Sequence, residues 1–255
     1  MVDCPPTLDA FSVGLLVASG LVAGFVNTVA GGGSLLTLPA LMFAGLPAVE
    51  ANATNRVCVL AQTLTAARGF AKEGHLSWRD GTLLLFPTLV GAVAGAWLAT
   101  EVPESVMEPL LLVLLVVSSL AVALSRSPVA LGEGGPPTRG RKASAWVLML
   151  ACGFYGGFLQ AGLGFLMLAT LLGLMRLDLL RANGLKALLM LPLTLVALGI
   201  FVGADLVRWG PGLVLAAASV VGTRIALRVA LKNPRSLRWL VFASVALSAS
   251  VLLFR

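Results

Sequence analysis

One unit of sequence occurs twice in this chain, at a shift of 131 residues. Its clearest signal is AGGGS at 30–34, because consecutive glycines have little use in a continuous lipid-facing helix. The ungapped shift matches residues of several types, and the pairs are Ala30/Ala161, Gly31/Gly162, Gly33/Gly164, Ala51/Ala182, Asn52/Asn183, Thr63/Thr194, Phe70/Phe201, Trp78/Trp209, Gly81/Gly212, Gly91/Gly222 and Pro103/Pro234. The chain must therefore fold into two similar halves.

The composition indicates a helical membrane protein. Hydrophobic residues make up 58% of the chain and charged residues 11%, and the mean hydropathy is +0.98. A water-soluble surface needs more charge than this. The apolar segments approach the roughly 20 residues with which a helix crosses about 30 Å of hydrocarbon, and they are not the short alternating segments of a β-barrel. The net charge of +7 is then explained by lysines and arginines in loops, which set the orientation of a membrane protein, and not by a nucleic-acid-binding surface.

Five apolar segments are predicted in each half. They lie at about 10–30, 33–45, 53–71, 81–100 and 106–125, and at about 144–162, 164–175, 184–203, 211–231 and 237–254. The second segment of each half reaches only about 18 Å as a helix, which predicts a half-span, a broken helix or a re-entrant limb. The predicted fold class is all-α integral membrane, with two inverted repeats and eight to ten segments in total.

Three domains follow from this pattern. The polar, Gly- and Pro-containing stretch at 126–142 predicts a cytoplasmic linker between a first membrane repeat, 1–125, and a second, 143–255. Most lysines and arginines fall in loops that share one side, which predicts that this side is the cytoplasm and that both termini lie outside. The second half is then inverted relative to the first, provided that the first two segments together return the chain to its starting side. This plan is typical of transporters with a substrate site near the midplane.

Polar side chains form a stripe on one predicted helix of each half. The first stripe falls within about a third of the helix circumference and the second lies on one face; they comprise Asn52, Asn55, Arg56, Gln62 and Thr63, and Asn183, Lys186 and Thr194 with Met190 between them. We favour a polar pathway for a substrate. Packing between membrane helices through amide hydrogen bonds is the alternative. Arg56 and Lys186 would each give an anion a partner, or would extend to the membrane interface.

The glycine-rich turns have a chemistry of their own. A turn that opens a short helix presents unpaired N–H groups and the positive end of the helix dipole, so residues 30–34 suit an anion, with a further donor from the hydroxyl of Ser34. Alternatively, Gly31–Gly33 only permit a chain reversal or close helix contact. The glycines recur at Gly162 and Gly164, beside Gln160. This recurrence favours a structural role in the turn more than a role in anion binding.

Catalytic and metal-binding motifs are missing. All acidic residues fall at predicted loops or segment ends, and Glu50 and His75 are the nearest titratable candidates. The chain has no GxxxxGK[ST], no HExxH and no set of residues for a Ser/His/Asp triad. Its cysteines, Cys4, Cys58 and Cys152, are too widely spaced for a zinc site or a disulfide framework. We expect no enzyme activity, no cofactor and no metal.

Two blocks of sequence resemble the TauE/SafE family of membrane transporters. They are GLVAGFVNTVAGGGSLLTLPAL at 20–41, with EANATN at 50–55 and HLSWRDG at 75–81, and a weaker copy, GFLQAGLGFLMLATLLG at 157–173, with RANGLK at 181–186 and RWGPG at 208–212. The resemblance covers nearly the whole chain and implies carriers of sulfur-containing anions such as sulfite, sulfonates, sulfoacetate and thiosulfate. The resemblance implies that the glycine motif and Asn52, Thr54 and Asn55 are functionally important. The second copy departs from the first at Leu163, Phe165 and Lys186.

The predicted function is secondary transport of a small sulfur-containing anion by alternating access, with export implied by the family and uptake left open. The candidate binding residues are Asn27, Gly31, Gly32, Gly33, Ser34, Asn52, Asn55, Arg56, Gln62, Gln160, Gly162, Gly164, Asn183 and Lys186. An anion channel and a non-transporting scaffold subunit are the alternatives. The expected partners are the anion and the lipid bilayer of a bacterial or archaeal inner membrane, without nucleic acid; coupling to a proton or Na⁺, and a homodimer, are left open.

Overall fold

The computed structural model describes residues 9–76, 78–124 and 138–232. These residues form nine helices and no strand. The helices are α1 Ala10–Val29, α2 Ser34–Phe43, α3 Ala48–Lys72, α4 Trp78–Glu101, α5 Glu104–Leu124, α6 Arg139–Phe158, α7 Leu163–Gly173, α8 Leu179–Gly203 and α9 Trp209–Lys232. The predicted all-helical class is confirmed for this part of the chain. Most of the predicted linker, both termini and the predicted last segment at 237–254 lie outside the described residues.

Side-chain caps mark where several helices begin. Asp9 accepts a hydrogen bond from the backbone N–H of Ser12 at 2.8 Å before α1, and the bonds from Ser12 lower the pKa of Asp9. Asp178 caps α8 in the same way. Thr138 caps α6, so that helix begins at Arg139 and includes the last residues of the predicted linker.

The sequence repeat is also a repeat of helices and turns. Helices α3 and α8 begin and end at residues that correspond under the 131-residue shift, and so do α4 and α9. Backbone positions with positive φ correspond as well; the pairs are Gly31/Gly162, Gly45/Arg176 and Gly74/Asp205. The two halves therefore share their turns as well as their apolar segments.

The helices pack as two bundles that exchange one helix. Helix α9 packs along α1 and α3, whereas α4 packs along α6 and α8. We call α1, α2, α3 and α9 the first bundle, and α4, α6, α7 and α8 the second bundle. Glycines bring the exchanged helices close: a Cβ on Gly24 would lie 2.0 Å from the carbonyl oxygen of Ser219, and one on Gly95 would lie 2.0 Å from that of Phe154. Each bundle thus contains a tightly packed helix from the other half of the sequence.

Helices α3 and α8 form most of the contact between the bundles, and they run in opposite directions. The guanidinium carbon of Arg56, near the start of α3, lies 5.2 Å from the ring centre of Phe201, near the end of α8. Phe70, near the end of α3, packs with Ala187, near the start of α8. We call these two ends of the interface the Glu50 end, after a residue in the first turn of α3, and the Phe70 end.

The two short helices confirm the prediction of short second segments. Helix α2 has 10 residues and α7 has 11. Asn27, near the end of α1, bonds to Gln62 in the middle of α3, whereas Thr37 in α2 bonds to Asn55, which lies nearer the Glu50 end. Helix α2 therefore turns back towards the end of α3 at which α3 begins.

Four of the described helices are long and apolar enough to cross a membrane, over the ranges Ala10–Val29, Gly81–Glu101, Leu179–Gly203 and Trp209–Ala230. Helix α3 is as long as α8 but carries the first polar stripe. Large apolar side chains cover the outer surface; Phe86 and Trp97 on α4 are each 66% exposed. Such a surface fits lipid and not water.

Candidate functional site

Lys186 is the centre of the polar contact between the bundles. It lies in the second turn of α8 and is 3% exposed. Its ammonium group donates to the side-chain oxygen of Asn183 at 2.8 Å, to the carbonyl oxygen of Asn27 at 2.9 Å and to that of Thr28 at 3.4 Å. The two carbonyls belong to the last turn of α1, where helix carbonyls lack intrahelical partners and carry the negative end of the dipole. A cation of the second bundle thus caps a helix of the first.

Amide side chains continue this network into α3. The Asn27 amide donates to the Gln62 side-chain oxygen at 2.6 Å, and the Gln62 amide donates to the Cys58 sulfur at 3.1 Å. Both amides are at least 95% buried. The predicted stripe residues Gln62, Asn183 and Lys186 are therefore brought together, with Asn27 from the glycine motif.

A small cavity lies beside this network. Its volume is about 10 Å³, which is near the minimum for one water molecule. The lining residues come from α1, α3 and α8; they are Asn27, Thr28, Gln62, Thr63, Ala66, Phe70, Asn183, Lys186, Ala187 and Met190. We call it the Lys186 cavity. It lies between the two bundles near the Phe70 end, and its lining combines the polar groups of Lys186, Asn183, Asn27 and Gln62 with apolar side chains.

Arg56 occupies the corresponding place near the Glu50 end. It is fully buried and donates to the carbonyl oxygens of Gly156 and of Gly157, the latter at 2.8 Å. These carbonyls lie in the last turn of α6, at the same two positions before the helix end that Lys186 binds in α1. The side chain of Arg56 therefore does not extend to the membrane–water interface. Its Nε has no hydrogen-bond partner among the described residues.

The remaining asparagines of α3 bind protein groups. Asn52 donates to the carbonyl oxygen of Phe158 at 2.7 Å, across the bundle interface. Asn55 accepts from the Thr37 hydroxyl at 2.6 Å and donates to the Ser34 hydroxyl at 3.2 Å. Ser34 and Asn55, both predicted ligands, are therefore bonded to each other and hold α2 on α3.

The two glycine turns are buried and contact each other. A Cβ on Gly164 would lie 2.3 Å from the Cα of Gly31, and one on Gly32 would lie 2.3 Å from the ring of Phe165. Gly31 also has a φ of +96°, which favours glycine. Gln160, next to Gly162, donates to the Thr194 hydroxyl at 3.0 Å, and its side-chain oxygen is buried without a partner in the described structure. The glycines make close backbone contact, as the structural interpretation expected.

Charged residues cluster outside these networks. Glu50 in the first turn of α3 forms an ion pair with Arg208, which precedes α9, and this hydrogen bond raises the pKa of Arg208. The backbone N–H of Arg208 donates to the Thr54 hydroxyl at 2.9 Å. Neither Arg56 nor Lys186 has an ion-pair partner among the described residues. The same residues contain no group of three side chains suited to a metal ion.

Sequence reasoning missed the acceptors of the two buried cations. Residues Asn27, Thr28, Gly156 and Gly157 act here through backbone carbonyls, which no side-chain pattern reveals. Only an indirect argument could have predicted these acceptors. A buried cation near a broken helix needs hydrogen-bond acceptors, and the end of a helix offers unpaired carbonyls.

Comparisons with known proteins agree on one family. The family model described as "Sulfite exporter TauE/SafE" matches residues 16–252. The "Probable membrane transporter protein ORF9" of Sinorhizobium sp is 28% identical over 243 residues, which cover 93% of this chain and 91% of the relative. The "Probable membrane transporter protein YfcA" of Escherichia coli is 29% identical, with 94% and 89% covered, and a "Probable membrane transporter protein" of Haemophilus influenzae is 24% identical over 227 residues, with 88% and 87% covered. No solved structure matches the chain.

Proposed function

Because the chain belongs to the sulfite exporter TauE/SafE family, we propose that it is a secondary transporter of a small sulfur-containing anion of the sulfite, sulfonate, sulfoacetate or thiosulfate type. The observation that carries this proposal is Lys186. It is buried beside a cavity between two bundles and has no ion-pair partner in the described structure. A buried cation is costly unless it is paired, and an anionic substrate supplies the missing charge.

The proposed substrate ligands are Lys186, Asn183, Asn27 and Gln62. Their ammonium and amide groups are the donor types that bind oxyanions, and all four line the Lys186 cavity. The other candidates frame this site. Ser34 and Asn55 hold α2 in place, Asn52 and Arg56 bind the end of α6, and the glycine turns at 31–33 and 162–164, with Gln160, allow the two halves to meet beside it.

The proposed mechanism is alternating access between the two bundles. Corresponding helices α3 and α8 pack antiparallel, which supports inverted repeats, and the return of α2 supports a re-entrant hairpin. At about 10 Å³ the Lys186 cavity is too small for a sulfur oxyanion, so the bundles must move apart before a substrate can bind there. Rocking one bundle against the other would open the cavity at one end at a time.

We place the Phe70 end in the cytoplasm. Lys72 ends α3 there, and Arg176 and Arg181 flank the start of α8, whereas Glu50 and Glu104 lie at the other end. Positive residues favour the cytoplasmic side. The matched relatives are bacterial, so the proposed location is the cell inner membrane, with export as the direction.

The test is anion binding to the purified protein. Sulfite, thiosulfate, sulfoacetate, taurine, sulfate and chloride are added in detergent and thermal unfolding is followed. A ligand at about 100 times its Kd adds about 2.7 kcal/mol to the folded state. We expect at least one sulfur anion to stabilise the wild type and to lose this effect in Lys186→Gln. Lys72→Gln removes an equal charge from an exposed position and is the matched control. Failure of all sulfur anions to stabilise the wild type would refute the assignment.

Flux in vesicles separates the carrier from the alternatives. A carrier saturates and shows counterflow of the bound anion, whereas a channel carries electrodiffusive current, and a scaffold subunit shows neither. Imposed proton and Na⁺ gradients in the same vesicles identify the coupling ion. Saturable flux that disappears in Lys186→Gln and persists in Lys72→Gln is the expected result.

A further inference from the structure

Two buried cations join the bundles at opposite ends of their interface. Lys186 in the second bundle binds the last carbonyls of α1 in the first, and Arg56 in the first bundle binds the last carbonyls of α6 in the second. We call these contacts the Lys186 latch and the Arg56 latch. The α3 residues that line the Lys186 cavity run from Gln62 to Phe70, and they lie about 9 to 21 Å along the helix from Arg56 at about 1.5 Å per residue. One latch therefore lies towards each end of the interface.

The Lys186 latch competes with an anion for the same donors. An ammonium group has three N–H donors, and three acceptors occupy them here: the oxygens of Asn183, Asn27 and Thr28. An anion that enters the cavity can bond to Lys186 only by displacing one of them. A charged acceptor forms a stronger hydrogen bond than a neutral carbonyl, and the Thr28 oxygen is already the most distant at 3.4 Å. The Thr28 carbonyl is therefore the first group to leave, and a second hydrogen bond from Lys186 to the anion displaces the Asn27 carbonyl as well.

The Arg56 latch has no such competition. The guanidinium binds two adjacent carbonyls through its planar fork, and Phe201 lies over it at 5.2 Å. It has donors in excess, since its Nε is unoccupied in the described structure. Arg56 also does not line the Lys186 cavity, so it need not leave its carbonyls when an anion binds there.

We propose that Lys186 and Arg56 are gating residues: anion binding transfers Lys186 from the α1 carbonyls to the substrate and releases the bundles at the Phe70 end, while Arg56 keeps them joined at the Glu50 end. The release of the Lys186 latch by an anion, which we call the anion step, rests on the proposed function. The two latches are properties of the fold and can be tested without any substrate. Arg56 thus serves as a positioning residue and not as a ligand.

Reporter cysteines at corresponding positions of the two halves test the latches. In a background with the native cysteines replaced by alanine, Ala66→Cys reports on the Phe70 end and Ala197→Cys on the Glu50 end; both alanines are buried and the 131-residue shift relates them. The rate of reaction with a small water-soluble methanethiosulfonate is measured. We expect Lys186→Gln to raise the rate about tenfold at Ala66→Cys only, and Arg56→Gln to raise it about tenfold at Ala197→Cys only, which corresponds to about 1.4 kcal/mol of lost closed-state stabilisation.

Conservative variants and an anion complete the experiment. Lys186→Arg and Arg56→Lys retain a cation, so we expect both reporters to stay slow in them, which separates the latches from general loosening. Sulfoacetate, which does not react with thiols, should speed Ala66→Cys and leave Ala197→Cys unchanged. Equal acceleration of both reporters by either glutamine variant, or no acceleration, overturns the latches. If sulfoacetate stabilises the wild type without speeding Ala66→Cys, the anion step is wrong and the proposed function stands.

Discussion

At the residue scale, buried amides of the same type have different partners. Asn183 binds Lys186, Asn27 binds Gln62, and Asn55 binds the hydroxyls of α2. The sequence predicted polar stripes on α3 and α8, and the structure buries all of the stripe residues. The sequence could not distinguish a residue with a protein partner from one that faces the cavity, because that depends on how α2 lies on α3 and on where the bundles touch.

The contacts of Asn55 predict a structural role. In Asn55→Ala the hydroxyls of Ser34 and Thr37 lose their buried partner, which costs about 1–3 kcal/mol of folding free energy. We expect a lower unfolding temperature in detergent and an anion Kd within about twofold of the wild type, since about 0.4 kcal/mol corresponds to twofold. Thr37→Ala/Asn55→Ala should cost less than the sum of the single variants because both remove one bond. A tenfold weaker Kd at unchanged stability would instead make Asn55 a ligand.

At the element scale, the glycine turns and short helices are the parts that the sequence predicted best. Three consecutive glycines and a dozen apolar residues predict a break and a short helix from local chemistry alone, and α2 and α7 confirm both. The contact between Gly31 and Gly164 could not be predicted in this way. It joins residues far apart in sequence, and only the antiparallel packing of α3 and α8 brings their turns together.

The central glycine contact should not tolerate a methyl group. A Cβ on Gly164 would lie 2.3 Å from the Cα of Gly31, so Gly164→Ala must push the two turns apart, and overpacking of this kind typically costs about 1–3 kcal/mol. We expect reduced thermal stability and loss of anion flux. Gly199→Ala is the matched control in α8, where a Cβ meets nothing within 4 Å and alanine favours the helix. Normal flux in Gly164→Ala would show that the turns need not touch.

At the scale of the whole molecule, the moving bodies are expected to be the bundles and not the halves of the sequence. The repeat predicted two similar units, and the helix boundaries follow it. It did not predict that α4 and α9 exchange places, because apolar periodicity says which face of a helix is buried and not which helix covers it. The glycines of α1 and α4 make the exchange possible, because a side chain at these positions would prevent the backbone contact with the helix from the other half.

This exchange predicts which cross-links stop transport. Ala66 on α3 and Ala187 on α8 line the same cavity from different bundles, so a disulfide between Ala66→Cys and Ala187→Cys should block flux until it is reduced. Gly69 on α3 and Leu227 on α9 touch within the first bundle, so a disulfide between Gly69→Cys and Leu227→Cys should leave flux close to that of the reduced protein. Both pairs are oxidised in vesicles, and flux is compared before and after a reductant. If the α3–α9 cross-link blocks flux as completely as the α3–α8 cross-link, then α3 and α9 move relative to each other during transport, and the first bundle is not one rigid body. If neither cross-link blocks flux, the α3–α8 interface does not open during transport, and access to the Lys186 cavity must come from motion of the glycine turns alone.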